Sequence, residues 1–433
     1  MFSKLLGFGV FWGVWVLAPV LVDGFSAIVT MIAVLWQRYK TRSITTHLDF
    51  CPFVSVIIPV YNSENELMAC LRSLEAQDYP KDRIEVILIN NGSTDRSFRI
   101  FAHAQSKLPL LLSWHSIINQ GKAWALNTGI HLCRGNLIFN IDSDVVLHPQ
   151  AIRNVVATME AEPDLGAVTG AIQVLPSPKG ASRWGLFLGN CEFFEYITAF
   201  HVGRIHQTLL QSIYTLSGAF SVFRRHVLME TYLYSQDTIT EDTDLTFDIY
   251  ERVKSTRIGC VPEAIAYVHS IKSLSSLYSQ RVRWQRGQIE VASRHPNLLK
   301  QSFFQLRGFS PKRILMVDHT LSFPRFVWTF LLPVLALFGY PSSLLFWSIV
   351  ALYAFYALID LMWVVVAWVG IDQRARKRLM RILWIIPLLP AYRMLVFWFR
   401  FSGFLTVLAE PGQWRVEDPI IQMQNGMDDI RQW

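Results

Sequence analysis

Cysteine is scarce in this sequence, and its arrangement excludes two kinds of structure. The five cysteines are scattered, odd in number and without a Cys-x-x-Cys pair, so neither a disulfide framework nor a zinc site is predicted. They are typical of small buried thiols in a reducing compartment. The sequence also lacks zinc-finger spacing and arginine-rich tracts, so no nucleic acid is expected as a partner.

Charge is sparse as well, at 17% of the residues, whereas 52% are apolar. A chain of 433 residues is too long for one compact core, and its apolar residues concentrate near both ends. This distribution predicts a membrane protein with one globular domain. Four units are expected: an N-terminal transmembrane helix (1–42), a cytoplasmic domain (52–311), a C-terminal membrane region (312–408) and a cytoplasmic tail (409–433).

The apolar segments predict the topology. Residues 5–36 form one apolar stretch, which fits a single tilted span better than a cleavable signal peptide because it is too long for the latter. Two spans are expected near 321–340 and 344–369. Residues 391–408 are predicted as an interfacial helix, with a third span as the alternative. Basic residues flank these segments and the net charge is +7, so the middle domain is placed in the cytoplasm of a multi-pass plasma-membrane protein.

The middle of the chain alternates strand and helix patterns. Buried strands are predicted at 54–60, 85–90 and 137–141, with a helix at 64–74 and another opened by Gly121 and Lys122. This β-α-β-α-β order predicts an α/β fold with a doubly wound, Rossmann-like parallel sheet.

Two carboxylates follow the strand at 137–141. Asp142 and Asp144 are two residues apart, so in an extended chain they would face one side, at the sheet edge where ligands bind in such folds. Two hard oxygen ligands suit Mg²⁺ or Mn²⁺. The alternative is a polar strand end with one aspartate capping a helix.

Five motifs occur in a fixed order: Pro59-x-Tyr61-Asn62, Gly121-Lys122-Ala123-x-Ala125-Leu126-Asn127, Asp142-x-Asp144, Thr240-Glu241-Asp242 and Gln280-x-x-Arg283-Trp284. In this order and spacing the chain resembles the processive family-two glycosyltransferases, the group of the cellulose, hyaluronan and poly-N-acetylglucosamine synthases. Its length and apolar N-terminus are also similar to Gram-positive glycosyltransferases of exosortase-type systems.

The resemblance implies a type A glycosyltransferase domain inserted between transmembrane helices. The implied activity is that of a membrane-embedded inverting enzyme, which transfers a sugar from a UDP-sugar to a growing β-linked polysaccharide. Two alternatives stay open: a polyprenyl-phosphate glycosyltransferase that makes a lipid-linked sugar, and a non-catalytic scaffold of a surface-polymer system. The implied partners are the donor, a polysaccharide or lipid-linked acceptor, the lipid bilayer and an accessory membrane subunit.

The resemblance also assigns roles. Asp144, with Asp142, would hold Mg²⁺ or Mn²⁺, and Asp242 beside Glu241 would act as the base. Gln280, Arg283 and Trp284 would bind acceptor or pyrophosphate. The nucleotide-sugar would contact Pro59, Tyr61, Asn62, Glu64, Asn91, Lys122 and Asp142.

The chain departs from its relatives at the end of the second strand. Asn90-Asn91 stands where they usually have an acidic residue. An amide carbonyl still accepts a hydrogen bond from a base N–H, but the bond is no longer charge-assisted and is therefore weaker.

Overall fold

The computed structural model describes residues 24–41, 50–118, 121–178, 180–302, 308–314 and 334–409. Most of the predicted first span, most of the span near 321–340 and the tail beyond 409 lie outside the described residues.

An eight-stranded sheet forms the centre of the domain, in the order β3-β2-β1-β4-β7-β6-β8-β5. The strands are β1 (Val54–Val60), β2 (Ile84–Asn90), β3 (Leu111–Ser116), β4 (Leu137–Ile141), β5 (Val146–Leu147), β6 (Leu165–Val174), β7 (Phe220–Arg224) and β8 (Arg257–Val268).

Helices cover the sheet and extend beyond it. In chain order they are α1 (Phe25–Thr41), α2 (Leu67–Glu75), α3 (Ser97–Lys107), α4 (Lys122–Leu132), α5 (Ala151–Ala161), α6 (Arg183–Tyr196), α7 (Gly203–Leu209), α8 (Arg225–Met229), α9 (Glu241–Arg252), α10 (Leu274–Arg294), α11 (Pro296–Leu299), α12 (Pro311–Arg313), α13 (Ser342–Gly370), α14 (Gln373–Arg381) and α15 (Leu389–Ala409). A π-helical segment, Ile197–Val202, joins α6 to α7.

The first half of the sheet confirms the predicted α/β fold. Strand β1 pairs in parallel with β2 and β4, and β2 pairs in parallel with β3. Nearly every residue of β1, β2 and β4 is buried, because helices cover both faces of a parallel sheet. Strands β2 and β4 lie on opposite sides of β1, so a crevice opens at the carboxyl ends of β1 and β4.

The second half corrects the expectation of a purely parallel sheet. Strand β7 runs antiparallel to both β4 and β6, and β5 runs antiparallel to β8. A tight turn precedes β7, in which the Phe220 N–H donates to the Ser217 carbonyl at 3.2 Å. Strand direction was not predictable here, since an apolar run shows that a strand is buried and not which way it runs.

Two helical stretches among the described residues are long and apolar enough to cross a membrane: Ser342–Gly370 and Leu383–Val407. The second consists of a 3₁₀ turn (Leu383–Leu388) and most of α15. Helix α15 packs along α10 of the central domain. Whether it spans the bilayer or lies at its surface stays a prediction, as do the four domain boundaries.

A histidine ties α9 to the end of α10. The two ring nitrogens of His295 lie 2.7 Å from Glu251 Oε2 and 3.3 Å from Asp244 Oδ1. Burial by itself lowers the pKa of His295, but the hydrogen bonds and charges of Asp244 and Glu251 outweigh it and raise that pKa above its usual value. Because the folded pKa is raised, this contribution to stability is complete below about pH 6.5 and is lost as pH rises through the folded pKa.

We therefore expect His295→Gln to destabilise the protein most near pH 6, by about 1–3 kcal/mol, and progressively less toward pH 9. Melting temperatures of both proteins in detergent, measured across this range, test the prediction. His103→Gln serves as the control, because that side chain is exposed on α3. A difference in melting temperature that stays constant with pH would contradict the assignment.

Candidate active site

Two neighbouring clefts open at the carboxyl ends of β1 and β4. The first, about 810 Å³, lies beside the loops that follow β1 and β2. The second, about 770 Å³, extends toward α9, α10 and the C-terminal helices. Lys122, Asp142, Asp144 and His269 line both clefts, so one wall serves both.

The first cleft brings together most of the predicted nucleotide-sugar residues. Pro59, Tyr61, Asn62 and Asn91 line it. Asn62 has a left-handed backbone, φ 48°, which asparagine tolerates better than most residues. Its Oδ1 accepts from the Thr94 N–H at 2.9 Å, which joins the two loops that form the cleft.

Glu64, also predicted to contact the nucleotide-sugar, is not among the residues that line this cleft. Its Oε2 accepts from the Arg96 N–H at 2.9 Å, and its own N–H donates to Asp95 Oδ2 at 2.9 Å. Glu64 therefore braces the loop before α3, and the acidic residue of its own segment that lines the cleft is Glu66.

Asp142 and Asp144 lie on one side, but for a different reason from the one predicted. Strand β4 ends at Ile141, and the Val145 N–H donates to the Asp142 carbonyl at 3.1 Å. A turn, and not strand alternation, brings the two carboxylates to the clefts. Partial desolvation, and then the charge of Asp142, raise the pKa of Asp144.

Lys122 connects the two acidic groups of the site. It begins α4, directly after Gly121, whose φ of 99° favours glycine. Its Nζ lies 2.5 Å from Asp142 Oδ1 and 3.5 Å from Glu241 Oε1. Burial lowers the pKa of Lys122, but Asp142 and Glu241 outweigh that effect and raise it, so the side chain stays a cation.

Asp242 is held at the start of α9 with both oxygens engaged. The Gly218 N–H donates to Oδ2 at 2.9 Å and the Thr243 N–H donates to Oδ1 at 2.7 Å. A Cβ at Gly218 would lie 3.2 Å from both Asp242 Oδ2 and Lys122 Nζ, so glycine permits this close packing. Burial raises the pKa of the adjacent Glu241, Lys122 opposes that shift and Asp242 adds to it.

The tryptophan helix completes the second cleft. Gln280, Arg283 and Trp284 line it, and Arg283 is exposed. Phe200 meets the Trp284 ring edge-on, with centroids 5.8 Å apart and planes at 90°. The cleft continues from here past residues of α13 and α15.

The sequence analysis assigned no role to two residues that support the site. Asn127, the last residue of the lysine motif, exchanges two hydrogen bonds with the backbone of Tyr234, at 2.9 and 3.0 Å, and so supports the loop before Glu241. Arg281 is fully buried and pairs with Glu195. The sequence held two signals of this pair: a carboxylate in the aromatic segment of α6 and another arginine close to Trp284.

These features define the class of protein. The sheet, of the glycosyltransferase type A kind, presents an Asp-x-Asp turn, a half-buried lysine and an acidic helix to shared clefts, which is the arrangement of a glycosyltransferase. The five motifs, remote in sequence, meet around one pair of clefts.

A family model described as Glycosyl transferase family 2 matches residues 55–231. The poly-beta-1,6-N-acetyl-D-glucosamine synthase of Staphylococcus aureus is 27% identical over 293 residues, 66% of this chain and 67% of that protein. Its namesake from Staphylococcus epidermidis is 28% identical over 241 residues, 56% of each chain. Residues 55–231 thus carry a glycosyltransferase family 2 domain, and the predicted recognition is confirmed.

A solved structure agrees with the fold. The mannosyltransferase PcManGT from Pyrobaculum calidifontis, in complex with GDP-Man and Mn²⁺, superposes with a TM-score of 0.54 at 15% identity, over 90% of this chain and 99% of that one. At this identity the likeness concerns the fold alone.

Proposed function

We propose that this enzyme transfers a sugar, with inversion, from a UDP-sugar to the end of a growing β-linked polysaccharide at the cytoplasmic face of the plasma membrane. One observation carries the proposal. The acidic turn, Lys122 and Asp242 line one cleft, which continues past Trp284 toward helices long enough to span a bilayer. The names of the similar synthases favour N-acetylglucosamine as the sugar.

In this proposal the first cleft binds the nucleotide-sugar and the second binds the acceptor. The first is lined by Tyr61, Asn91 and Lys122, so a nucleotide bound there would hold its diphosphate near Lys122. The second presents Asp242 to an acceptor hydroxyl. Asp242 accepts the hydroxyl proton while the oxygen attacks the anomeric carbon, and the bond to the diphosphate breaks on the opposite face. Attack opposite the leaving group inverts the configuration.

The carboxylate oxygens of the acidic turn fit a divalent cation. The described residues contain no group of three or more His, Cys, Asp or Glu side chains suited to hold a metal. Two carboxylates, Asp144 and Asp142, suit Mg²⁺ or Mn²⁺, which keep several waters and are commonly completed by substrate phosphates. When bound, such an ion neutralises charge on the leaving diphosphate.

We also propose that α14 rests on an anionic membrane surface. Arg374, Lys377 and Arg381 are exposed on one face of this helix, which follows α13 after two residues. Nearby, Trp184 and Trp384 are 73% and 56% exposed, and both contact Phe187. Basic side chains attract anionic lipid and tryptophan favours the membrane interface.

A lipid-dependence experiment tests this surface. We expect turnover in nanodiscs that contain phosphatidylglycerol to exceed turnover in pure phosphatidylcholine, and the triple variant R374Q/K377Q/R381Q to lose that difference. The expected weakening is about 1 kcal/mol of lipid attraction per removed charge. The variant R72Q/R99Q/K107Q removes three exposed charges from α2 and α3 and should retain the difference. Equal loss in both variants would contradict the assignment.

The function itself is tested by product analysis. Purified protein in lipid is incubated with Mn²⁺ and a panel of radiolabelled UDP-sugars, and the products are sized. Long chains are the expected result. Single-sugar lipids would indicate a polyprenyl-phosphate acceptor, and absence of turnover with every donor would indicate a scaffold; either result overturns the proposal.

A further inference from the structure

We propose that Glu195 and Arg281 are positioning residues that fix the orientation of Trp284 toward the acceptor, and that they tie it to helix α15. The inference rests on the proposed function, and it concerns two residues outside the five motifs' defined positions. The observation behind it is a chain of contacts that leads from the tryptophan ring to a helix next to the membrane.

The first contact is between Arg281 and the ring. The Arg281 guanidinium carbon lies 4.6 Å from the centroid of the Trp284 ring, within the distance at which a cation and an indole face attract. Arg281 is completely buried, and a planar guanidinium suits stacking in a way that an ammonium does not. One face of Trp284 is thereby occupied, and the Phe200 ring packs perpendicular to the indole. The ring is left with few alternative orientations.

The second contact anchors Arg281. Its Nη2 donates to Glu195 Oε2 at 2.7 Å. A buried guanidinium needs such a partner, because a charge removed from water without one is strongly destabilising. Glu195 therefore determines where Arg281 lies, and Arg281 determines where the indole face lies.

The third set of contacts links Glu195 to α15. The Tyr392 hydroxyl donates to Glu195 Oε2 at 3.1 Å, and Arg400 Nη2 lies 3.5 Å from Oε1. Along the same pair of helices, the Tyr278 hydroxyl is 2.8 Å from Ser402 Oγ. One carboxylate thus receives groups from α10 and from α15. A displacement of α15 would be transmitted to Trp284 through Glu195 and Arg281.

The proposed chemistry explains why a fixed orientation of Trp284 matters. A tryptophan that stacks on a sugar ring selects its ligand by orientation, and a shift of about 1 Å at a reacting end costs up to about 10²-fold in rate. Lys122 and Asp142, which we propose bind the nucleotide-sugar, pair with each other at 2.5 Å, whereas Glu195 and Arg281 pair with each other at 2.7 Å. The effect of the two positioning residues should therefore fall on the acceptor and not on the donor.

The test measures acceptor and donor dependence separately, with UDP-N-acetylglucosamine as donor and a β-1,6-linked N-acetylglucosamine pentamer as acceptor. We expect Glu195→Gln and Arg281→Gln each to raise the acceptor KM about tenfold, the effect of a lost interaction of about 1.4 kcal/mol. The donor KM should stay within about twofold. Asp248→Asn is the matched control, since it removes a buried carboxylate that pairs with Arg252 at 2.6 Å on α9, and it should leave the acceptor KM unchanged.

A second arm separates positioning from general destabilisation. If Glu195 acts through the tryptophan, Glu195→Gln should add nothing to the acceptor KM of Trp284→Ala, because effects on a shared element are not additive. The inference would be overturned if the two substitutions together raised the acceptor KM by the product of their separate effects, or if the donor KM rose together with the acceptor KM. UDP binding confirms that each variant is folded. If the wild-type enzyme fails to elongate the pentamer with every UDP-sugar offered, the proposed function is overturned, and this inference with it.

Discussion

Asp242→Asn is expected to reduce sugar transfer by about 10³-fold, within the range that general-base catalysis contributes. The amide keeps the size of the carboxylate but does not accept a proton from the acceptor hydroxyl. It still accepts one of the two backbone hydrogen bonds that Asp242 receives from Gly218 and Thr243, so α9 should begin at the same place. Affinity for UDP, measured by calorimetry, should change by less than about threefold.

Asp244→Asn is the matched control for this experiment. It changes the same residue type in the same helical turn, but Asp244 faces His295 at 3.3 Å and does not line either cleft. We expect nearly full transfer and a lower melting temperature. Loss of UDP binding together with transfer in Asp242→Asn would show that Asp242 serves the donor and is not the base.

The second large effect is expected at the metal position. Chelation by EDTA should abolish turnover, and Mn²⁺ or Mg²⁺ should restore it. Asp144→Asn should lower turnover by about 10²- to 10³-fold, because neutralising the leaving diphosphate contributes several kcal/mol and each 1.36 kcal/mol is a factor of ten. Electron paramagnetic resonance of Mn²⁺ in the presence of UDP gives a readout independent of activity, and the variant should bind the ion at least about tenfold more weakly.

Asp78→Asn controls for the loss of one carboxylate. Asp78 pairs with Arg153 at 2.6 Å on an exposed surface, where such pairs contribute little, so turnover and Mn²⁺ binding should both be retained. Unchanged Mn²⁺ binding in Asp144→Asn would contradict the metal assignment and leave Asp144 with a role in the turn alone.

The predictions from sequence succeeded where the information was local. Strands β1 and β4 begin and end at the predicted residues, because a short apolar run between turn residues marks a buried strand. Helix α4 begins at Lys122, after a glycine whose left-handed backbone ends the preceding loop. The same local reasoning assigned Glu64 to the nucleotide, since proximity to Tyr61 in sequence does not reveal that its carboxylate braces the loop at Arg96.

The burial of Arg281 could not be predicted from the sequence. The sequence shows three arginines within one turn of Trp284, at positions 281, 283 and 286, and offers no means to tell which one faces the cleft. In the structure Arg283 is exposed at the cleft and Arg281 is buried beneath the ring. The difference depends on Glu195, which belongs to another helix and is brought there by packing.

By itself, the amino-acid sequence determined the strand–helix alternation of the central domain, the apolar segments around it and the motifs that mark a family-two glycosyltransferase. These depend on hydrophobic periodicity and turn chemistry, which act over a few residues. Only the tertiary structure decided that β7 runs antiparallel, that Lys122 lies between Asp142 and Glu241, and that Glu195 supports Trp284 through Arg281. Such pairings join distant segments, and they are selected by the packing of the whole core and by the need of each buried charge for a partner.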